Sequence, residues 1–355
     1  MKGVTMNHDY YADIWTETRE LSEQYNNDIS KLEKEKTINK QNKSKKKEID
    51  EEIKKRTRRL LNDIKGSVHN ASSILVSGVI DKMTTWWNAD FPRKENVKNL
   101  YIEAAMEIAE NGFALPDCLK QKTPYKWLSD WFGLEVSFIL TSPWYAKDDR
   151  VFHVLDNPVR KERIFGTPFL SATAWKGLLR HSCRMQAGLL SHLRKDPKMK
   201  NWEDDPWLIH LFGNEKGERK KAGALLFFPT WFDKIAFELI NPHSRETRAG
   251  TNPILYEVVP AGTQGRLRLL YAPTPGQEKR DEVQVINFID HFIDSIENLL
   301  TQYGISAKRT VGWGAAEISG WAIFPKDESS SLLTTAKKVK EELKKRFASQ
   351  EAANG

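Results

Sequence analysis

Apolar positions are sparse along residues 10–64, where Lys and Glu fill the intervals and Pro is absent. Ile29, Leu32, Ile49, Ile53, Leu60, Leu61 and Ile64 are its scattered apolar positions, a pattern that predicts long solvated helices, broken or disordered near residues 39–44. Residues 68–109 keep the helical period, with Ile74, Ile80, Met83, Trp86, Trp87, Leu100 and Met106 among the core candidates and a break at Pro92. The first third of the chain is therefore expected to be helical.

Gly, Pro and Lys gather over residues 112–124 and mark a boundary. Beyond it short apolar runs dominate. Residues 134–140 alternate as a half-buried strand, 223–228 read as a buried strand, and 266–271 alternate Arg with Leu. Helices are predicted over 174–193 and 283–303, the second with Ile289, Phe292, Ile293, Ile296 and Leu299 on one face. Strand, helix, strand, strand, helix, strand is the order of a ferredoxin-like unit. The expected fold class is α+β: a charged helical region over residues 1–125, a ferredoxin-like (RRM-like) domain over 126–328, and a C-terminal Lys/Glu helix with a tail over 329–355.

Charge adds a hint of the partner. The 355 residues carry 55 Lys and Arg against 48 Asp and Glu, a net charge of +7, and a mild basic excess favours a polyanion. Cys118 and Cys183 show neither CxxC nor Cys/His spacing, so reduced thiols and no structural zinc are expected. No run approaches the roughly 20 apolar residues of a spanning helix, and the first residues lack an apolar signal core. A cytoplasmic protein with no membrane partner is the expectation.

The chemistry concentrates in Asp156-Asn157-Pro158-Val159-Arg160-Lys161, followed by Pro168 and then residues 171–180. One carboxylate stands beside a dense set of cations, just ahead of a predicted helix N-terminus, which suits a grip on a phosphodiester backbone. RNA is the leading ligand. Ser171 or Thr173 can cap that helix, and Lys176 and Arg180, one turn apart, share a face. Asp-Asn-Pro is also a common turn starter, so Asp156 reads equally as a structural cap. His153 fits either a general base or a packed strand residue, and Lys147, Asp148, Asp149 and Arg150 form a charged tip that is a metal-ligand candidate or a solvated turn. The lysines of residues 43–47 and the basic positions 54–59 fit a solvated face or an RNA contact.

These residues carry a resemblance. The run from Phe152 through Arg180, then Leu211-Phe212-Gly213, Gly223-Ala224-Leu225, Arg245-Glu246-Thr247 with Tyr256 to Thr263, and Gly312-Trp313-Gly314 occur in the order of the RAMP superfamily of CRISPR-associated proteins. More narrowly, they resemble the repeated backbone subunit of type III effector complexes, which serve antiviral defence. The resemblance implies an RNA-binding core that polymerises along a guide RNA beside other subunits of the complex. It implies an endoribonuclease aspartate, here Asp156, which acts on paired target RNA with Mg²⁺ or another divalent metal. Guide or target contacts are implied for Lys147, Arg150, Arg160, Lys161, Thr173, Lys176, Arg180, Arg309 and Trp313. His243, Arg245 and Arg248 correspond to a thumb-like hairpin that intrudes between nucleotides. Two departures stand out: Thr141-Ser142-Pro143-Trp144 replaces the paired glycines that often follow the first strand, and Ser171-Ala172 stands where Pro and Gly are usual. The first leaves open a non-catalytic architectural or capping subunit.

Overall fold

The computed structural model describes residues 24, 27–39, 42–66, 101–102, 105–106, 115, 119, 131–149, 153, 155–163, 166–198, 202–214, 221–242, 250, 252–273, 282–325 and 333–354. Contacts divide the chain into two compact units, Met1–Ala114 with Asp148–Thr167, and Leu115–Lys147 with Pro168–Gly355. The segment that carries Asp156 thus groups with the N-terminal residues.

In the first unit, residues 27–38 are helical, Asn39 turns the chain, and a second helix follows as α1 (Lys43–Gly66). The predicted break falls between them. Ile29 and Ile49 supply buried apolar contacts, while Lys36 pairs with Asp50 and Arg56 reaches Asp28 at 2.7 Å. A mostly polar sequence is therefore held as a helical pair by a narrow apolar seam and its ion pairs. Residues 101–102 and 105–106 are helical, with Tyr101 and Ala105 buried. Trp86, Trp87, Pro92 and Cys118 lie outside the described residues.

The second unit mixes helix and sheet. In chain order it contains β1 (Phe132–Leu140), β2 (Phe169–Leu170), α2 (Ala172–Gln186), α3 (Leu189–Lys195), α4 (Pro206–Phe212), β3 (Gly213–Asn214), β4 (Lys221–Ala222), β5 (Leu225–Phe228) and β6 (Thr230–Trp231). There follow β7 (Ala236–Ile240), β8 (Ile254–Val258), β9 (Gln264–Tyr271), α5 (Glu282–Asn298), β10 (Ala316–Phe324) and α6 (Ala336–Asn354). The principal sheet is antiparallel in the order β10-β1-β9-β5. The Arg-Leu alternation of β9 puts Leu267 and Leu269 inside, while Arg268 pairs across the sheet with Glu135 at 2.6 Å.

The apolar faces of α2 and α5 complete the core. Trp175, Leu179 and Cys183 from α2 and Phe288, Ile289, Phe292, Ile293 and Ile296 from α5 are buried, and Ser182 Oγ donates to the Ser295 carbonyl at 2.7 Å. Trp175 is fully buried, donates its indole N–H to Thr230 Oγ1 at 2.9 Å and meets Phe138 edge-on. On α6, Val339, Leu343 and Phe347 are buried, and Lys340 and Lys344 pair with Asp294 and Asp290 of α5. The single helix expected over 174–193 is two: Gly188 adopts φ +93°, a left-handed turn that ends α2 and starts α3. A wider turn closed by an i→i+5 bond, Leu299–Tyr303, extends α5 to where periodicity placed its end.

Candidate functional site

In the first unit, Asp156 is exposed while its flanks are anchored: Leu155, Pro158 and Val159 are all buried. The Leu155 amide donates to His153 Nδ1 at 3.0 Å, and the Asp148 amide donates to the Pro158 carbonyl at 3.2 Å. Asp148, itself buried, accepts from the Lys161 amide at 3.3 Å. A short polar segment is thus folded into a loop that leaves Asp156 outward. Such a segment has too few apolar residues to pack as a core, so hydrogen bonds fix it.

The cations close to Asp156 in sequence differ in burial and partners. Arg160 is half-buried and lies 3.4 Å from Asp149, which also stands 3.9 Å from Arg163. Lys161, expected from sequence on the RNA surface, is only 4% exposed, and its Nζ donates to the Tyr101 hydroxyl at 2.6 Å. Burial of the Lys side chain with its head group on the Tyr101 hydroxyl explains the difference. Arg150 lies outside the described residues, and Lys147, on the second unit, is exposed. Among the described residues, no three His, Cys, Asp or Glu side chains converge as a metal site. A hard divalent ion needs no such cage when phosphate oxygens and water supply most ligands, so an exposed carboxylate at Asp156 fits Mg²⁺ in that mode.

In the second unit, Ser171 caps α2 by accepting from the Ala174 amide at 3.2 Å, and Thr173 Oγ1 lies 3.0 Å from Ser171 Oγ. No acid occupies the first turn, which leaves the positive end of the helix dipole unopposed beside half-buried Lys176. Arg180 is engaged within the protein: it donates to Asp204 at 2.6 Å and 3.1 Å and to the Gly213 carbonyl at 3.2 Å. Arg184 also grips Asp204, at 2.6 Å and 2.7 Å, as does the Trp202 indole at 2.9 Å. Burial pushes the Asp204 carboxyl up, but the hydrogen bonds from Arg184, Trp202 and Arg180 outweigh it and hold the group at about 2. Sequence reading missed Asp204, because only the fold brings residue 204 to two arginines one turn apart on α2.

Arg309 is exposed, and Trp313 is half-buried, edge-on to Tyr145 and Tyr256. Between them and β10, Gly314 has φ +86°, and a side chain there would run into the Ser306 backbone amide. Burial first, then the positive charges of Arg309 and Arg184, lowers the His181 pKa, so this face of α2 is rich in cations. Cys183 is buried and its thiol is pushed up to about 12 by burial, a packing residue and not a nucleophile. His243, Arg245 and Arg248 lie outside the described residues, in the connection between the paired strands β7 and β8.

The RAMP superfamily matches residues 137–317, about half of the chain, and the chain belongs to that superfamily. No curated protein matches the sequence. Among solved structures, a chain of the type III-B Cmr-beta complex bound to cognate target RNA is 16% identical, with a TM-score of 0.39 over 65% of this chain and 76% of that one. A chain of the Csm3-Csm4 subcomplex of the type III-A CRISPR-Cas interference complex is 15% identical, with a TM-score of 0.36 over 61% and 95%. A chain of a type IV-B CRISPR complex is 16% identical, with a TM-score of 0.36 over 56% and 93%. No helix among the described residues is long and apolar enough to cross a membrane.

Proposed function

We propose that this chain is a guide-RNA-binding subunit of a type III CRISPR effector complex that cuts paired target RNA through Asp156. Its second unit is read as a ferredoxin-like core, a reading supported by the strand-helix-strand-strand-helix-strand succession and the sheet order β10-β1-β9-β5. The observation that carries the catalytic part is the contrast within one loop: Asp156 is exposed between the buried Leu155 and Val159. A lone carboxylate suffices where the substrate's own 2′-hydroxyl attacks the phosphate. Asp156 would orient that hydroxyl, or hold a Mg²⁺ whose charge offsets the negative charge growing on the phosphate. Thr173, Lys176 and Arg309 would hold backbone phosphates, and Trp313 offers an aromatic edge to a base.

The test is Asp156→Ala in the assembled complex with guide RNA. Target cleavage in Mg²⁺ is expected to fall below detection, with target affinity within about twofold of wild type. Cleavage at the wild-type rate removes the catalytic assignment.

A second reading, an architectural or capping subunit, rests on residues 141–144. Trp144 is fully buried, donates its indole N–H to the Ile305 carbonyl at 3.0 Å and pairs its backbone with Val259. The region where relatives often carry flexible glycines is tied down here. The same Asp156 experiment separates the two readings.

A further inference from the structure

We infer that Tyr101, in the N-terminal extension, is a positioning residue for Asp156. The inference rests on the catalytic reading of that loop, and it gives the extension a task that no RAMP motif assigns.

Both flanks of Asp156 end on the same side chain. On the N-terminal side, the Leu155 amide is held by His153, whose ring meets the Tyr101 ring edge-on at 5.3 Å and 83°. On the C-terminal side, Lys161 Nζ donates to the Tyr101 hydroxyl at 2.6 Å, and the Lys161 backbone is fixed by Asp148. Tyr101 is fully buried and Lys161 is 4% exposed, so water does not compete freely for this bond. A buried Lys head group is costly to desolvate, and the Tyr101 hydroxyl oxygen is one acceptor that offsets the cost. Five residues between two anchors on one ring leave Asp156 little freedom to wander. An acid that must meet one hydroxyl or one metal ion gains from that, because misplacement by about 1 Å can cost roughly a hundredfold in rate.

A hydroxyl that only satisfied a buried Lys would leave a different signature from one that positions an acid. Two variants separate these roles in the assembled complex with guide RNA. Tyr101→Phe removes the hydroxyl alone. Tyr101→Phe with Lys161→Met removes both polar partners of this bond and keeps the volume, so no buried ammonium is left facing the missing hydroxyl. Positioning requires both variants to cleave bound target roughly tenfold or more slowly in single turnover, with target affinity within about twofold of wild type. It also requires amides of residues 155–161 to exchange with deuterium faster in both. A wild-type rate in Tyr101→Phe, or a rate that recovers with the melting temperature in the double variant, overturns the inference. Asp156→Ala runs in parallel: if it cleaves like wild type, the catalytic reading fails on its own, while the exchange measurement still decides whether Tyr101 fastens the loop.

Discussion

The two places where charge gathers in this protein are built on opposite plans. In the second unit Asp204 is an acid enclosed by cations: its side chain is 5% exposed and is shared by Arg180, Arg184 and Trp202. In the first unit Asp156 is exposed, and the enclosed group is the cation Lys161. Exposure decides what each arrangement can do. A carboxylate saturated by guanidinium hydrogen bonds locks α2 to the segment before α4, whereas one displayed on a fastened loop can meet a ligand. In the fold both are acids with arginines or lysines nearby, and only burial tells them apart.

The largest test of this contrast lies beneath the Asp204 site, in the apolar core that sets the position of α2. Trp175→Ala deletes a fully buried ring and the partner of Thr230, and about 3 to 5 kcal/mol of unfolding free energy is expected to be lost in denaturant titration. A loss under about 1 kcal/mol would show that the sheet and α2 are held by something other than this packing.

A smaller loss is expected at Asp204, and it carries a pH signature. The folded carboxyl titrates at about 2, below its ordinary 3.8. Its contribution is therefore complete above about pH 4 and disappears as pH falls toward 2, a step of about 2 kcal/mol. Asp204→Ala should cost about that much at pH 7 and flatten the acid limb of the stability curve. An unchanged acid limb would mean that the arginines contribute nothing net by holding this acid.

Much of the second unit was legible in the sequence because period 2 and period 3.6 are written by the same residues that end up buried. Leu134, Val136, Phe138 and Leu140 point inward from β1, and Phe292, Ile293, Ile296 and Leu299 do so from α5 and the turn that follows it. The break at Gly188 was less visible, since one glycine within an otherwise helical pattern does not announce a left-handed turn. The loop position of Asp156 and the capping of α2 by Ser171 were legible in local motifs, because a turn before Pro and a helix cap are set by neighbours in sequence. Tyr101, Asp204 and the burial of Lys161 were not found. Each depends on a partner more than 19 residues away, at separations of 60 for Lys161 and Tyr101 and 24 for Arg180 and Asp204, and no periodicity encodes such pairings.

The finest distinction falls between two neighbours on α2. Lys176 and Arg180 are one turn apart, and sequence assigns both to the RNA backbone. Arg180 already donates to Asp204 and to the Gly213 carbonyl, whereas Lys176 has no ion-pair partner among the described residues and stands by the open end of the helix dipole. Counterion release gives the two different signatures. Lys176→Ala should lower the slope of log K against log salt by about 0.7 for a single-stranded RNA, the value for one phosphate contact, and leave the melting temperature near wild type. Arg180→Ala should do the reverse, lowering the melting temperature with little change in slope, because its guanidinium is already held by Asp204 and the Gly213 carbonyl. Titrations of the chain with single-stranded RNA at several salt concentrations measure both. Equal slopes for the two variants would mean that Arg180 leaves Asp204 when RNA arrives, and that the enclosed site is a reserve of positive charge rather than a fixed brace.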